Sequence, residues 1–222
     1  MIFSRYAVYY VPDQPFLKLG SEWLGWDCST GLEIPQTSEQ RIITDRPRKY
    51  GFHATIKAPF VLADGCRETD LRQAFQRYCQ TLTPITGGIL HIDRLGRFLA
   101  ITQKIQSAGV SELAANVVAD LDQFRAPLSA EAIEKRRKNK LSAEQDILLL
   151  RWGYPYVMQE FQFHMTLSGA LDDTQIEAVE KSAKTVFANH VGVPLHINSL
   201  ALMGESRDTG QFHLIENVTL GN

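Results

Sequence analysis

The chain has 222 residues, 44% of them hydrophobic, which is ample for a buried core and argues against a disordered chain. Its 23 basic and 25 acidic residues leave a formal net charge of −2, and residues 1–111 hold 13 basic against 10 acidic, so any polyanion contact has to be local rather than a whole-surface effect. Cys28, Cys66 and Cys79 are odd in number and lack metal-ligand spacing, and no signal-peptide core or run of ~18 apolar residues occurs, so the expectation is a cytoplasmic protein with reduced thiols and no membrane partner.

Taken in order, residues 6–11 read as a strand in which Tyr6 and Tyr10 share a face; core packing is the favoured reading, with Tyr6 a candidate to reach a binding cleft. Residues 27–49 are polar and irregular, ending in the basic and aromatic cluster Arg46-Pro47-Arg48-Lys49-Tyr50. A strand from His53 follows, in which Phe52, Ala54, Ile56 and Ala58 alternate with His53, Thr55 and Lys57. Apolar residues at helical spacing predict a helix over 68–82, and two strands follow over 89–95 and 98–102, with a turn at Gly96-Arg97.

Residues 126–141 are again irregular and contain Lys135-Arg136-Arg137-Lys138-Asn139-Lys140, a run read here as a solvated face in preference to a phosphate-binding flap. A second basic and aromatic cluster, Arg151-Trp152-Gly153-Tyr154-Pro155-Tyr156, precedes a second strand in which Phe163, Met165 and Leu167 alternate with His164, Thr166 and Ser168. Asp172-Asp173 offers N-caps for a helix reaching about 189, and strands over 194–203 and 211–220 close the chain around a turn at 204–210.

Both halves therefore read strand, helix, strand, strand, and each first strand carries His-x-Thr, at His53 and Thr55 and again 111 residues on at His164 and Thr166. A local echo, Leu90-His91-Ile92-Asp93-Arg94-Leu95 against Leu195-His196-Ile197-Asn198-Ser199-Leu200, follows each helix. The expected architecture is α+β: one domain over 1–222, made of two similar lobes, about 1–108 and 109–222, with antiparallel sheets around a central cleft. Alternation puts each imidazole beside its threonine hydroxyl, a pairing suited to acid/base chemistry on a phosphate.

The paired His-x-Thr strands resemble the two-histidine (2H) phosphoesterase superfamily, which includes bacterial RNA 2′,3′-cyclic phosphodiesterases and plant cyclic nucleotide phosphodiesterases. Longer stretches, Arg5 to Tyr10, Tyr50 to Phe60, Arg151 to Tyr156 and Phe161 to Leu167, resemble a phosphonate-operon-associated branch of it. The resemblance implies a hydrolase in which His53 and His164 divide the acid and base roles on a cyclic or activated phosphodiester while Thr55 and Thr166 donate to nonbridging oxygens. The slightly acidic balance, without the broad basic surface a long RNA favours, points to a small ribose- or nucleotide-type substrate, and acid/base chemistry of this kind needs no metal or other cofactor.

Around that centre Lys57 reads equally as a phosphate cation or a snorkelling edge-strand lysine. Arg151 is the best candidate for a substrate arginine, and Tyr154 for a rim aromatic that otherwise packs between the lobes. His91 and His196 lack companion ligands and read as supporting or surface residues. Two other readings remain open: a noncatalytic module that binds a phosphate ligand, and a protein that binds or processes RNA ends. No Gly-x4-Gly-Lys-Ser/Thr phosphate loop, Gly-x-Ser-x-Gly elbow or dinucleotide fingerprint occurs.

Overall fold

The computed structural model describes residues 1–221. In chain order it contains β1 (Phe3–Tyr10), α1 (Phe16–Leu24), β2 (Trp26–Asp27), β3 (Leu32–Glu33), α2 (Ser38–Arg48), β4 (Ala54–Phe60), α3 (Glu68–Cys79), β5 (Ile85–Leu95) and β6 (Phe98–Gln103). There follow α4 (Ala108–Asp120), α5 (Ala130–Arg137), α6 (Ala143–Trp152), β7 (His164–Thr166), α7 (Asp173–Val186), β8 (Pro194–Ile197), β9 (Ser199–Ser206) and β10 (Phe212–Thr219). Eight strands form one antiparallel sheet in the order β10-β9-β1-β4-β7-β6-β5-β8, and β2 pairs with β3 apart from it. No described helix is long and apolar enough to cross a membrane.

The fold is α+β, with β4, α3, β5, β6 in the first half and β7, α7, β8, β9, β10 in the second, where the strand expected over 194–203 divides at Asn198 into β8 and β9, which occupy different places in the sheet. The halves are interleaved. The motif strand of the first half lies beside β1, which in turn pairs with the C-terminal hairpin β9-β10, while the motif strand of the second half lies beside the first half's hairpin β5-β6. The two sides of the sheet, β10-β9-β1-β4 and β7-β6-β5-β8, thus each take strands from both 1–108 and 109–222.

The predicted helices form for the reasons their sequences offer. Leu71, Phe75 and Cys79 of α3 recur every fourth residue and are buried, and the Asp172 carboxylate caps α7 by accepting from the backbone N–H of Thr174 and Gln175. Two helices occupy stretches that read as irregular. Thr37 caps α2 and Ser129 caps α5, but α2 buries only Thr44, Pro47 and Arg48, and α5 buries nothing, so neither shows an apolar period.

One packing detail positions the first motif. Phe52 is fully buried between Phe16 of α1 and Phe187, with ring centroids 5.1 and 5.8 Å away, a burial worth about 1.5–3 kcal/mol. Gly51, at φ +75, makes the turn into this strand and abuts Cys28, so the left-handed backbone and the close approach both require glycine. On the other motif strand, the Trp23 indole N–H of α1 donates to the Leu167 carbonyl at 2.7 Å.

Candidate active site

The two motif strands are sheet neighbours. Ala54 of β4 pairs antiparallel with Met165 of β7, and that register sets His53 across from Thr166 and Thr55 across from His164. Each histidine therefore faces the threonine of the other motif. Directly opposed side chains have Cβ atoms ~5 Å apart, so the four polar groups form one compact patch. Met165 and Ala54, pointing the other way, are fully buried in the core.

The two imidazoles are held alike. His53 Nδ1 lies 2.9 Å from the Gly51 carbonyl and His164 Nδ1 lies 2.9 Å from the Gln162 carbonyl, each two residues back. A carbonyl only accepts, so both Nδ1 atoms carry hydrogen, and Nε2 is the atom each ring has for chemistry. His53 Nε2 lies 3.0 Å from Thr55 Oγ1, whose hydroxyl donates to it in the neutral ring. The ring stacks on Tyr9 at 3.7 Å. Burial, reinforced by the like charge of His164 and only partly opposed by the Gly51 carbonyl, pushes His53 down to about 4, so at neutral pH it is an uncharged acceptor.

Three cavities meet over this patch. One of about 340 Å³ is lined by His53, Thr55 and Thr166 together with Arg5, Tyr9, Tyr50, Arg136 and Tyr154. It shares Thr55 and Tyr154 with a cavity of about 530 Å³ that holds His164 and Phe98, and His53 and Thr166 with one of about 240 Å³ that holds Ser168 and Arg46. Together they make an open cleft whose floor carries both His-x-Thr pairs. An anion held there could receive hydroxyl hydrogen bonds while one imidazole accepts a proton and the other donates one.

His53, Thr55, His164, Thr166 and Tyr154 are brought together. Lys57, Tyr6 and Arg151 are placed elsewhere. Along β1 and β4 the pairing runs Val8 to Lys57 and then Tyr9 to Thr55, so one step on β1 spans two on β4, a bulge at Ile56 that reverses the alternation. Lys57 accordingly turns off the histidine face; its Nζ donates to the Val118 carbonyl at 3.0 Å and pairs with Asp122 at 3.3 Å, and burial pulls it down to about 8. Tyr6 lies on the opposite face of β1 from Arg5 and Tyr9 and donates to Glu68 at 3.0 Å. Arg151 is exposed, stacked on Trp152 at 4.7 Å.

Four further cleft residues, Arg5, Tyr9, Tyr50 and Arg136, were not singled out one by one, although Tyr50 ends the first basic and aromatic cluster and Arg136 belongs to the basic run. Arg5 and Tyr9 occupy alternate positions of β1, on the face opposite to the Tyr6–Tyr10 face. The Arg5 guanidinium forks onto Glu205 at 2.5 and 2.6 Å; burial alone would raise that carboxyl, but Arg5, Ser4 and Lys49 hold it below its ordinary value. Arg136 comes from the basic run, whose other members are exposed. Of the same run, Arg137 is committed to Glu134 and Asp146.

A family model described as "Protein of unknown function (DUF1045)" matches residues 55–213. Two curated relatives are both called "Ribose 1,5-bisphosphate phosphokinase PhnN". The one from Janthinobacterium sp. (strain Marseille) is 37% identical over 91% of this chain and 48% of its own length; that from Laribacter hongkongensis (strain HLHK9) is 32% identical over 97% and 52%. The chain thus spans about half the length of the curated relatives it matches. Among solved structures, E. coli LigT complexed with phosphate is similar over the whole of both chains at 10% identity and TM-score 0.47. TT0787 of Thermus thermophilus is similar over 98% of this chain and 99% of its own at 12% identity and TM-score 0.46.

Proposed function

The chain belongs to the family of proteins described as DUF1045, and on that premise we propose that its cleft opens a cyclic phosphodiester of a small ribose-type substrate by two-histidine acid/base catalysis. The observation that carries this reading is the register of β4 on β7, which sets each histidine across from the other motif's threonine with both Nδ1 atoms already committed. Neutral His53 takes a proton from water at Nε2 as the water oxygen bonds to phosphorus. His164, protonated, gives its Nε2 proton to the ribose oxygen as the P–O ester bond breaks. The products are a phosphomonoester and a free hydroxyl, and solvent restores both rings. The Thr55 hydroxyl, which occupies His53 Nε2 in the resting site, turns to a nonbridging oxygen when substrate enters, and Thr166 donates to another.

The relatives' name supports the ribose reading. This chain has no Gly-x4-Gly-Lys-Ser/Thr loop to cradle the phosphates of a nucleotide, and it accounts for about half of each relative, so in our reading it corresponds to a unit of those proteins distinct from their phosphate-transferring part. In our reading, opening a 1,2-cyclic phosphate of ribose at its O2 ester leaves a ribose 1-phosphate group, one of the two phosphate esters of the compound in the relatives' name.

The test is turnover by the purified chain, with chelator present, of ribose 1,2-cyclic phosphates, 2′,3′-cyclic nucleotides and linear diesters, followed by phosphorus NMR. A cyclic substrate is expected to open. Replacing His53 or His164 by Ala is expected to lower kcat by ~10²- to 10⁴-fold and replacing Thr55 or Thr166 by Ala to cost less. The double histidine variant is expected to be scarcely worse than either single one, because the two rings act as a unit. Undiminished turnover in either folded histidine variant, or complete loss on chelation, overturns the assignment.

A further inference from the structure

Behind the motif cleft, under α5, lies a further cavity of about 360 Å³. It contains neither motif histidine nor motif threonine, yet it shares Arg5, Ala58, Pro59, Arg136 and Tyr154 with the cleft, so these residues form the boundary between two adjacent chambers. Its roof is one face of α5, on which Ser129, Ala132 and Arg136 recur at helical spacing; much of its wall is apolar, from Val61, Val118 and Leu128 to Val157. A chamber with such walls has no use for an arginine unless something anionic meets it.

The cations around this chamber differ in how far they are already spent. Arg125 donates to both Asp122 oxygens and to the carbonyls of Ala126 and Arg151, Lys57 is tied to Asp122 and the Val118 carbonyl, and Arg5 is forked onto Glu205. Arg136 is half-buried and, among the described residues, has no acidic partner; its one hydrogen bond is a 3.4 Å contact to the Ala132 carbonyl of its own helix. With Lys57 and Arg125 sharing the single Asp122 carboxylate, the chamber carries an excess of about two positive charges, which matches the −1.5 to −2 of a phosphomonoester at neutral pH. A neutral sugar or base seated there would leave the guanidinium desolvated and unpaired.

We propose that the chamber under α5 is a second anion subsite, anchored by Arg136, which takes a terminal phosphomonoester of the ligand whose cyclic diester lies between His53 and His164. The proposal rests on the reading of the cleft as a phosphodiester site and adds to it the substrate class: a ribose cyclic phosphate that bears a further phosphate. Arg136, which lines both chambers, is then a specificity-determining residue. The fork of its guanidinium onto two phosphate oxygens is the contact that separates 5-phosphorylated from 5-hydroxyl substrates.

The test has a binding arm and a kinetic arm. Ribose 5-phosphate, which lacks the diester, is titrated calorimetrically into the wild-type chain, Arg136→Ala and Arg136→Lys, with ribose as control. Wild-type binding, a loss of about 10- to 100-fold in Arg136→Ala and partial recovery in Arg136→Lys are expected. Because no residue of α5 is fully buried and Arg136 pairs with no acidic group among the described residues, both variants should keep a thermal midpoint close to that of the wild type. In the kinetic arm the ratio of kcat/KM for a cyclic phosphate with and without a 5-phosphate is expected to fall by the same factor in Arg136→Ala. Equal affinity of Arg136→Ala and wild type for ribose 5-phosphate, or no wild-type binding, overturns the subsite while turnover of cyclic substrates still supports the cleft. Absence of all cyclic turnover overturns the cleft reading, and the binding arm then decides the subsite alone.

Discussion

His53 is an imidazole that the fold keeps uncharged. Tyr9 covers one ring face, the Gly51 carbonyl holds Nδ1–H, and burial together with His164 moves the group from 6.5 to about 4. Since the folded-state value is depressed, the unfolded chain binds more protons between pH 6.5 and 4; the contribution to stability is fully present above 6.5 and is lost as pH falls through that window. The shift caps the effect at roughly 3 kcal/mol. Urea unfolding of wild type and His53→Gln at pH 7 and pH 4.5 should therefore show the wild type losing the larger share of its stability on acidification, and parallel losses in the two proteins would refute the depressed value. The same depression carries to catalysis. The acid limb of kcat/KM is expected well below 6.5, and both limbs belong to the coupled pair rather than to either ring.

At the scale of elements, the site depends on how tightly α1 presses against the residue before His53. Gly20 of α1 sits on the Phe52 ring, and a Cβ added there would overlap it. Gly20→Ala would gain helix propensity yet drive Phe52, and with it His53, out of place; a net destabilisation of about 1–3 kcal/mol is expected, with kcat falling alongside. Unchanged stability and turnover would show that the strand yields without cost. Local alternation was enough to set His53 and Thr55 on one face because both precede the β4 bulge, and His164 and Thr166 on one face because the three residues of β7 pair without a register shift. It failed for Lys57, one residue past the bulge, since a bulge is fixed by pairing with β1 and has no composition of its own. The same alternation sets Tyr6 opposite Arg5 and Tyr9 without saying which face meets the cleft; the Glu68 carboxylate on α3 marks Tyr6 as turned away from it. Arg136 was hidden in a charge run, although Ser129, Ala132 and Arg136 share one helical face.

Across the whole molecule, the repeated order of a motif strand, a helix and further strands was legible in the chain, but the break at Asn198 and the interleaving of its halves were not. Periodicity reports which residues of a strand face inward, and says nothing of which strand lies alongside. The pairings β1 with β9, β4 with β7, β6 with β7 and β5 with β8 all join one half of the chain to the other. Severing the chain between residues 108 and 109 breaks every one of them. A fragment of residues 1–108 would expose both edges of the β5-β6 hairpin and lose the β9 partner of β1; a fragment of 109–222 would leave the three residues of β7 with no neighbour at all. Neither fragment retains enough paired sheet to close a core of its own. The expected outcome is that each fragment alone lacks a cooperative unfolding transition, whereas the intact chain loses circular dichroism and tryptophan fluorescence together in one transition. A fragment of residues 1–108 that unfolds cooperatively on its own would mean that the β1-β4 and β5-β6 pairs suffice for a lobe. The cleft, with His53 on one half and His164 on the other, would then be an interface between two independent units rather than the seam of a single sheet.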